Sequence, residues 1–101
     1  MSGQIVIVNY YSVDYSDKAQ TALTALLNQA LGAYASAYGA VVADVFTPFQ
    51  HAAAAAGGKT CNVGLLNVDP ANQQLCDDHP SQSGSRLIAR TVAATYARSG
   101  D

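Results

Sequence analysis

The chain has 101 residues, a mass of 10.4 kDa and a net charge of −2; only 12% of its side chains are charged, and all seven acids are Asp. That is about half the ~25% of an ordinary soluble domain, with none of the basic clustering that a nucleic-acid binder needs and no apolar run near the ~20 residues of a membrane span. Half the residues are hydrophobic, which argues against disorder, but nineteen are Ala, so the core of this single small domain (residues 1–101) is expected to be thin.

In chain order, residues 4–10 (QIVIVNY) form a β-branched run without alternation, the pattern of a strand buried on both faces. A polar stretch leads to Ser16, a plausible N-cap, and Asp17, whose charge suits a first helical turn. Leu23, Leu26, Leu27, Ala30, Leu31 and Tyr34 then recur at the spacing of one helical stripe, expected to face the core, and Gly39 stops the helix. Residues 40–46 (AVVADVF) read as a second strand closed by Thr47-Pro48. Strand, helix, strand is a βαβ unit, so the two strands should be parallel.

Beyond Pro48 the pattern weakens. Residues 49–56 favour a short helix ended by Gly57-Gly58. Residues 59–74 are punctuated by Asn, Gly and Pro and read as a loop, with residues 63–66 (VGLL) packing inside it. Residues 81–97 form a last helix opened by Pro80-Ser81, with Leu87, Ile88, Val92 and Tyr96 on one face and Arg98 in its last turn. Only two strands are visible, and a two-stranded parallel sheet is not a stable arrangement alone. The chain is therefore expected either to pair with another chain or to be one piece of a larger domain.

Few residues carry chemistry. Asp44, within the second expected strand, needs a polar partner if buried, such as a helix N-terminus or a Tyr. His51 reads as a helix-surface residue. Cys61 and Cys76 flank one loop; a disulfide between them would add roughly 3 kcal/mol on loop-entropy grounds and imply an oxidising, extracellular setting. Free thiols, or a zinc site shared with His51 and His79, are the alternatives, although these spacings match no standard zinc pattern. His79 lies beside Asp77 and Asp78 at the start of the last helix. A carboxylate there can fix the imidazole tautomer and stabilise the imidazolium; equally, a surface histidine whose acidic neighbours complement the helix dipole would look the same.

Residues 76–89 (CDDHPSQSGSRLIA) resemble the last block of the SGNH/GDSL hydrolases, in which a His-Pro introduces the closing helix. Residues 60–67 (TCNVGLLN) are similar to the disulfide-bearing loop of secreted members. Residues 5–11 and 41–46 are similar to two of the family's strands. The resemblance implies the C-terminal portion of a three-layer α/β/α sandwich with a parallel sheet and an ester-, lipase- or acyl-hydrolase activity without cofactor or metal. By the same resemblance His79 is the catalytic base, Asp77 its acid partner and Asp78 a weaker candidate; the position three before the histidine, where the family's acid usually sits, is Cys76. Tyr10 and Tyr11 would line the acyl pocket.

The resemblance also implies a secreted protein acting on an ester or lipid substrate, although residues 1–4 (MSGQ) lack the charged and apolar regions of a signal peptide. No Gly-Asp-Ser or Gly-x-Asn-Asp block occurs in the sequence, and acyl transfer needs both a nucleophile and oxyanion donors. Ser12, just past the first strand, has no nucleophile elbow around it and reads as a turn serine. The rival expectation is a non-enzymatic module that self-associates through its open sheet edge.

Overall fold

The computed structural model describes residues 4–99, apart from the side chains of Gln73, Gln74 and Ser99. The element order is β1 (Val6–Val8), α1 (Lys18–Ala37), β2 (Val41–Ala43), α2 (Phe46–Ala53), β3 (Leu66–Asp69), β4 (Asn72–Pro80) and α3 (Gln82–Ser99), with short 3₁₀ turns at Ala54–Ala56 and Cys61–Val63. β1 and β2 form a two-stranded parallel sheet with Val6 opposite Val41 and Val8 opposite Ala43, so the βαβ unit is present. β3 and β4 form a separate antiparallel pair with an irregular register. The fold is mixed α/β with one small sheet of each kind.

Several elements differ from the sequence reading. The second strand stops at Ala43 because Asp44 turns the chain into a helix: its carboxylate accepts from the Thr47 N–H (3.3 Å) and the Thr47 hydroxyl (2.7 Å). Asp44 is exposed rather than buried, and Thr47-Pro48 lies in the first turn of α2, where a Pro needs no N–H partner. Residues 66–80 form the β3–β4 hairpin, not a loop; Asn and Pro at positions 67 and 70 obscure the alternation. Gly57-Gly58 ends the preceding helical segment as expected, with φ of +67° and +93°.

The core centres on Val45, Phe49 and Leu65, surrounded by Tyr11, Tyr15, Ala52, Val63, Leu87 and Ile88. Tyr11 stacks on Phe49 with centroids 4.4 Å apart, and Tyr15 meets the Phe46 ring edge-on at 5.1 Å while its hydroxyl donates to the Phe46 carbonyl at 2.7 Å. Burial pushes the Tyr15 phenol up to about 12. Leu65 and Leu66 are buried, as residues 63–66 suggested, but Tyr96 on α3 is 54% exposed.

The βαβ half is packed the other way round. At 100° per residue, Leu23, Leu26, Leu27, Ala30, Tyr34 and Tyr38 share an arc of about 120°. Five of these, together with Leu31, were expected to form the buried stripe, yet Leu23, Leu26 and Tyr34 are 68%, 62% and 60% exposed, and of the stripe Leu31 alone is half-buried. Ala35 is the one buried residue of α1. α1 instead turns Thr21, Thr24 and Asn28 inward. The Thr21 hydroxyl donates to the Asp14 carbonyl at 3.0 Å, and Asn28 brackets Tyr10, accepting from its N–H and donating to its carbonyl, both at 2.8 Å. The end of β1 thereby gains the two hydrogen bonds that a further strand would have supplied. β1 is correspondingly open, with Ile5 63% and Val8 39% exposed, not buried on both faces.

Candidate functional site

The segment holding His79 is fixed from both sides. Downstream, Ser81 caps α3: its hydroxyl accepts from the Gly84 N–H at 3.1 Å and donates to the Gly64 carbonyl at 2.6 Å. The Ser81 N–H donates to the Leu65 carbonyl at 2.9 Å. Gly84 is required by close approach, since a Cβ there would lie 2.2 Å from the Leu65 oxygen. Two residues of the resembling block, Ser81 and Gly84, thus dock the closing helix onto the hairpin. Upstream, the Tyr11 hydroxyl donates to the Asp78 carbonyl at 2.6 Å, tying the histidine segment to the ring stacked on Phe49. Burial, reinforced by the Asp78 and Asp77 charges, raises the Tyr11 phenol above its ordinary value. Sequence reading placed Tyr11 near the pocket but missed this anchoring role, which no local pattern announces.

His79 Nδ1 lies 3.5 Å from Asp77 Oδ1 and 3.4 Å from Asp78 Oδ1. Asp77 Oδ1 also accepts the His79 N–H at 2.8 Å, a local turn that holds the carboxylate beside the ring. The imidazole is 76% exposed. Asp77, Asp78 and His79 offer ligand atoms within 4.8 Å of one another; all three are exposed neighbours on one strand, a partial shell for a cation. The four-residue zinc alternative is excluded, because Cys61 and Cys76 form a disulfide with Cα atoms 5.8 Å apart. His51 sits exposed in the last turn of α2.

Beside this segment, at the C-terminal end of β1, opens a cleft of about 400 Å³ lined by Val8, Tyr10, Tyr11, Leu27, Asp78 and Ile88 among others. Ligands of parallel α/β sheets bind outside the carboxyl ends of the strands, and this cleft occupies that position. Asp78 and Pro80 face it, and His79 lies between them without contributing to the wall. Ser12 is 1% exposed. Its hydroxyl pairs with the Thr21 hydroxyl at 2.8 Å and accepts from the Asp14 N–H at 3.3 Å, so it is a turn serine with no access to substrate. Asn9, unremarked in the sequence, accepts from the Val45 and Phe46 N–H groups at 2.8 and 3.3 Å and donates to Asp44 at 3.1 Å, joining the end of β1 to the start of α2.

No protein-family model matches the chain, and neither a curated protein nor a solved structure matches it. Among the described residues no helix is long and apolar enough to cross a membrane. The disulfide is compatible with an extracellular location.

Proposed function

We propose that this chain supplies the acid–base half of an SGNH/GDSL-type ester or acyl hydrolase. His79 is the base and Asp77 the acid that orients it; the serine nucleophile and the oxyanion donors come from polypeptide outside these 101 residues. The observation that supports this reading is the Asp77–His79 pair, with Nδ1 and carboxylate 3.5 Å apart, on the strand whose Asp78 and Pro80 line a cleft at the carboxyl end of β1, the pair itself lying outside the cleft wall. With Nδ1 turned to the carboxylates, Nε2 is the nitrogen left to accept a proton from an incoming hydroxyl. The carboxylate then stabilises the imidazolium. Val8, Tyr10, Leu27 and Ile88 give the cleft the apolar walls suited to an acyl chain.

The test is the longer polypeptide. The coding sequence preceding Met1 should contain an in-frame Gly-Asp-Ser block, and the extended protein should hydrolyse p-nitrophenyl butyrate with a rate that falls at least about 10³-fold in His79→Ala. The 101 residues alone should show no hydrolysis above that variant. A frame without such a block, or activity indifferent to His79, overturns the reading.

A second reading, a non-enzymatic module that associates through the open β1–β2 sheet, is favoured by one observation: Ile5 and Val8 are 63% and 39% exposed at that sheet. Loss of self-association when this edge is blocked by Val8→Pro would support it.

A further inference from the structure

The outward leucine face of α1 asks for an occupant, and its chemistry selects one. The whole chain exposes 6407 Å², whereas a folded monomer of 10.4 kDa is expected to expose about 5,400 Å². The excess of about 1,000 Å² is comparable to the ~800 Å² that each partner buries in a standard stable interface. Tyr38, Leu23, Leu26 and Tyr34 are among the most exposed large apolar side chains, at 70%, 68%, 62% and 60%. Residues 19–43 carry no charged side chain, so this face can meet a copy of itself without like-charge repulsion. The seam is also self-complementary. Leu23, Leu27, Ala30 and Tyr34 follow the 4-3-4 spacing of a helix-pairing stripe. A two-fold axis crossing α1 between Leu27 and Ala30 sets Leu27 against Ala30, Leu23 against Tyr34 and Tyr38 against Ala19. Small residues thus stand opposite large ones in two of the three pairings, which is what an isologous contact requires.

We propose that this chain forms a homodimer in which two α1 helices pack antiparallel through the face of Leu23, Leu27, Ala30 and Tyr34. The contact uses the helix, not the open sheet edge; it shares Leu27 with the cleft wall and otherwise lies outside the cleft. It also explains why α1 turns Thr21, Thr24 and Asn28 toward its own domain: the polar face completes the end of β1, and the apolar face is kept for the second copy.

Sedimentation velocity and light scattering on the oxidised 101-residue chain test it. At micromolar concentration the mass should be about twice 10.4 kDa, dissociating on dilution. Leu23→Glu with Tyr34→Glu should return the mass to that of one chain with an unchanged far-ultraviolet circular dichroism spectrum. Ala30→Lys, which removes no large side chain, should do the same and serves if the double variant misfolds. Val68→Glu on the hairpin, 50% exposed in the native chain, should leave the dimer intact. A monomeric wild type, a dimer that survives the α1 substitutions but is lost in Val8→Pro, or an open-ended aggregate would each overturn the proposal. Leu23, Ala30 and Tyr34 lie outside the cleft, so these substitutions leave the hydrolase reading untouched and the two readings fail separately.

Discussion

Phe49 and Leu23 are both large apolar side chains in the middle of helical turns, yet Phe49 is 0% exposed and Leu23 is 68% exposed. The difference separates the molecule into two regions. Around Phe49, α2, residues 63–65 leading into the β3–β4 hairpin and the start of α3 converge, and the disulfide and the Ser81 and Gly84 contacts clamp them together. Around Leu23 nothing converges: α1 touches the rest of the chain through hydroxyls and an amide, and through Ala35 and the half-buried Leu31. A helix can therefore be well formed and well attached by its polar face. An amphipathic pattern identifies the apolar face without saying which molecule covers it.

The sharpest way to break this contrast is Phe49→Ala. Removing a fully buried ring that stacks on Tyr11 should cost about 4 kcal/mol, read from the urea midpoint, and should also release the Tyr11–Asp78 tether beneath His79. A loss below about 1 kcal/mol would mean that the core does not lie where we place it. Replacing Cys61 and Cys76 with Ser should lower stability by about 3 kcal/mol through the loop they close, again on the packed side; an unchanged midpoint would show that the hairpin is held without it. The smallest expected effect has the opposite sign and falls on α1. Gly32 is helical, and a Cβ there meets nothing within 4 Å. Gly32→Ala should therefore raise stability by about 0.5–1 kcal/mol, mainly by restricting the unfolded chain, measurable as a higher midpoint at a concentration where the chain is monomeric. Destabilisation would mean that α1 lies closer to the sheet than described.

Part of the candidate site was legible in the sequence. Positions 77–81 contain a carboxylate, a histidine and a capping serine in a spacing that local hydrogen bonding alone enforces, and the structure has Asp77 and Ser81 making those local bonds. What could not be read is everything that depends on long-range contacts. Tyr11 reaches Asp78 across 67 positions, and Gly84 is constrained by Leu65; neither partner is visible from its neighbours. The hairpin was missed for a related reason, since β3 and β4 are stabilised by each other and by the disulfide rather than by any alternation of their own residues.

By itself, the amino-acid order determined the two long helices and the glycine stops at 39 and 57–58, the pairing of the only two cysteines as one of three options, and the parallel βαβ start. All of these follow from backbone preferences and short-range spacing. Helix starts were less legible, since the α1 N-cap is Asp17 rather than Ser16 and α2 starts at Phe46 rather than Phe49. Tertiary structure alone decided that Val63 and Leu65, just before the hairpin, close the core over Phe49 and that Leu23 and Leu26 of α1 point outward. Burial is a property of whatever surrounds a side chain, and a chain's own periodicity carries no record of those surroundings.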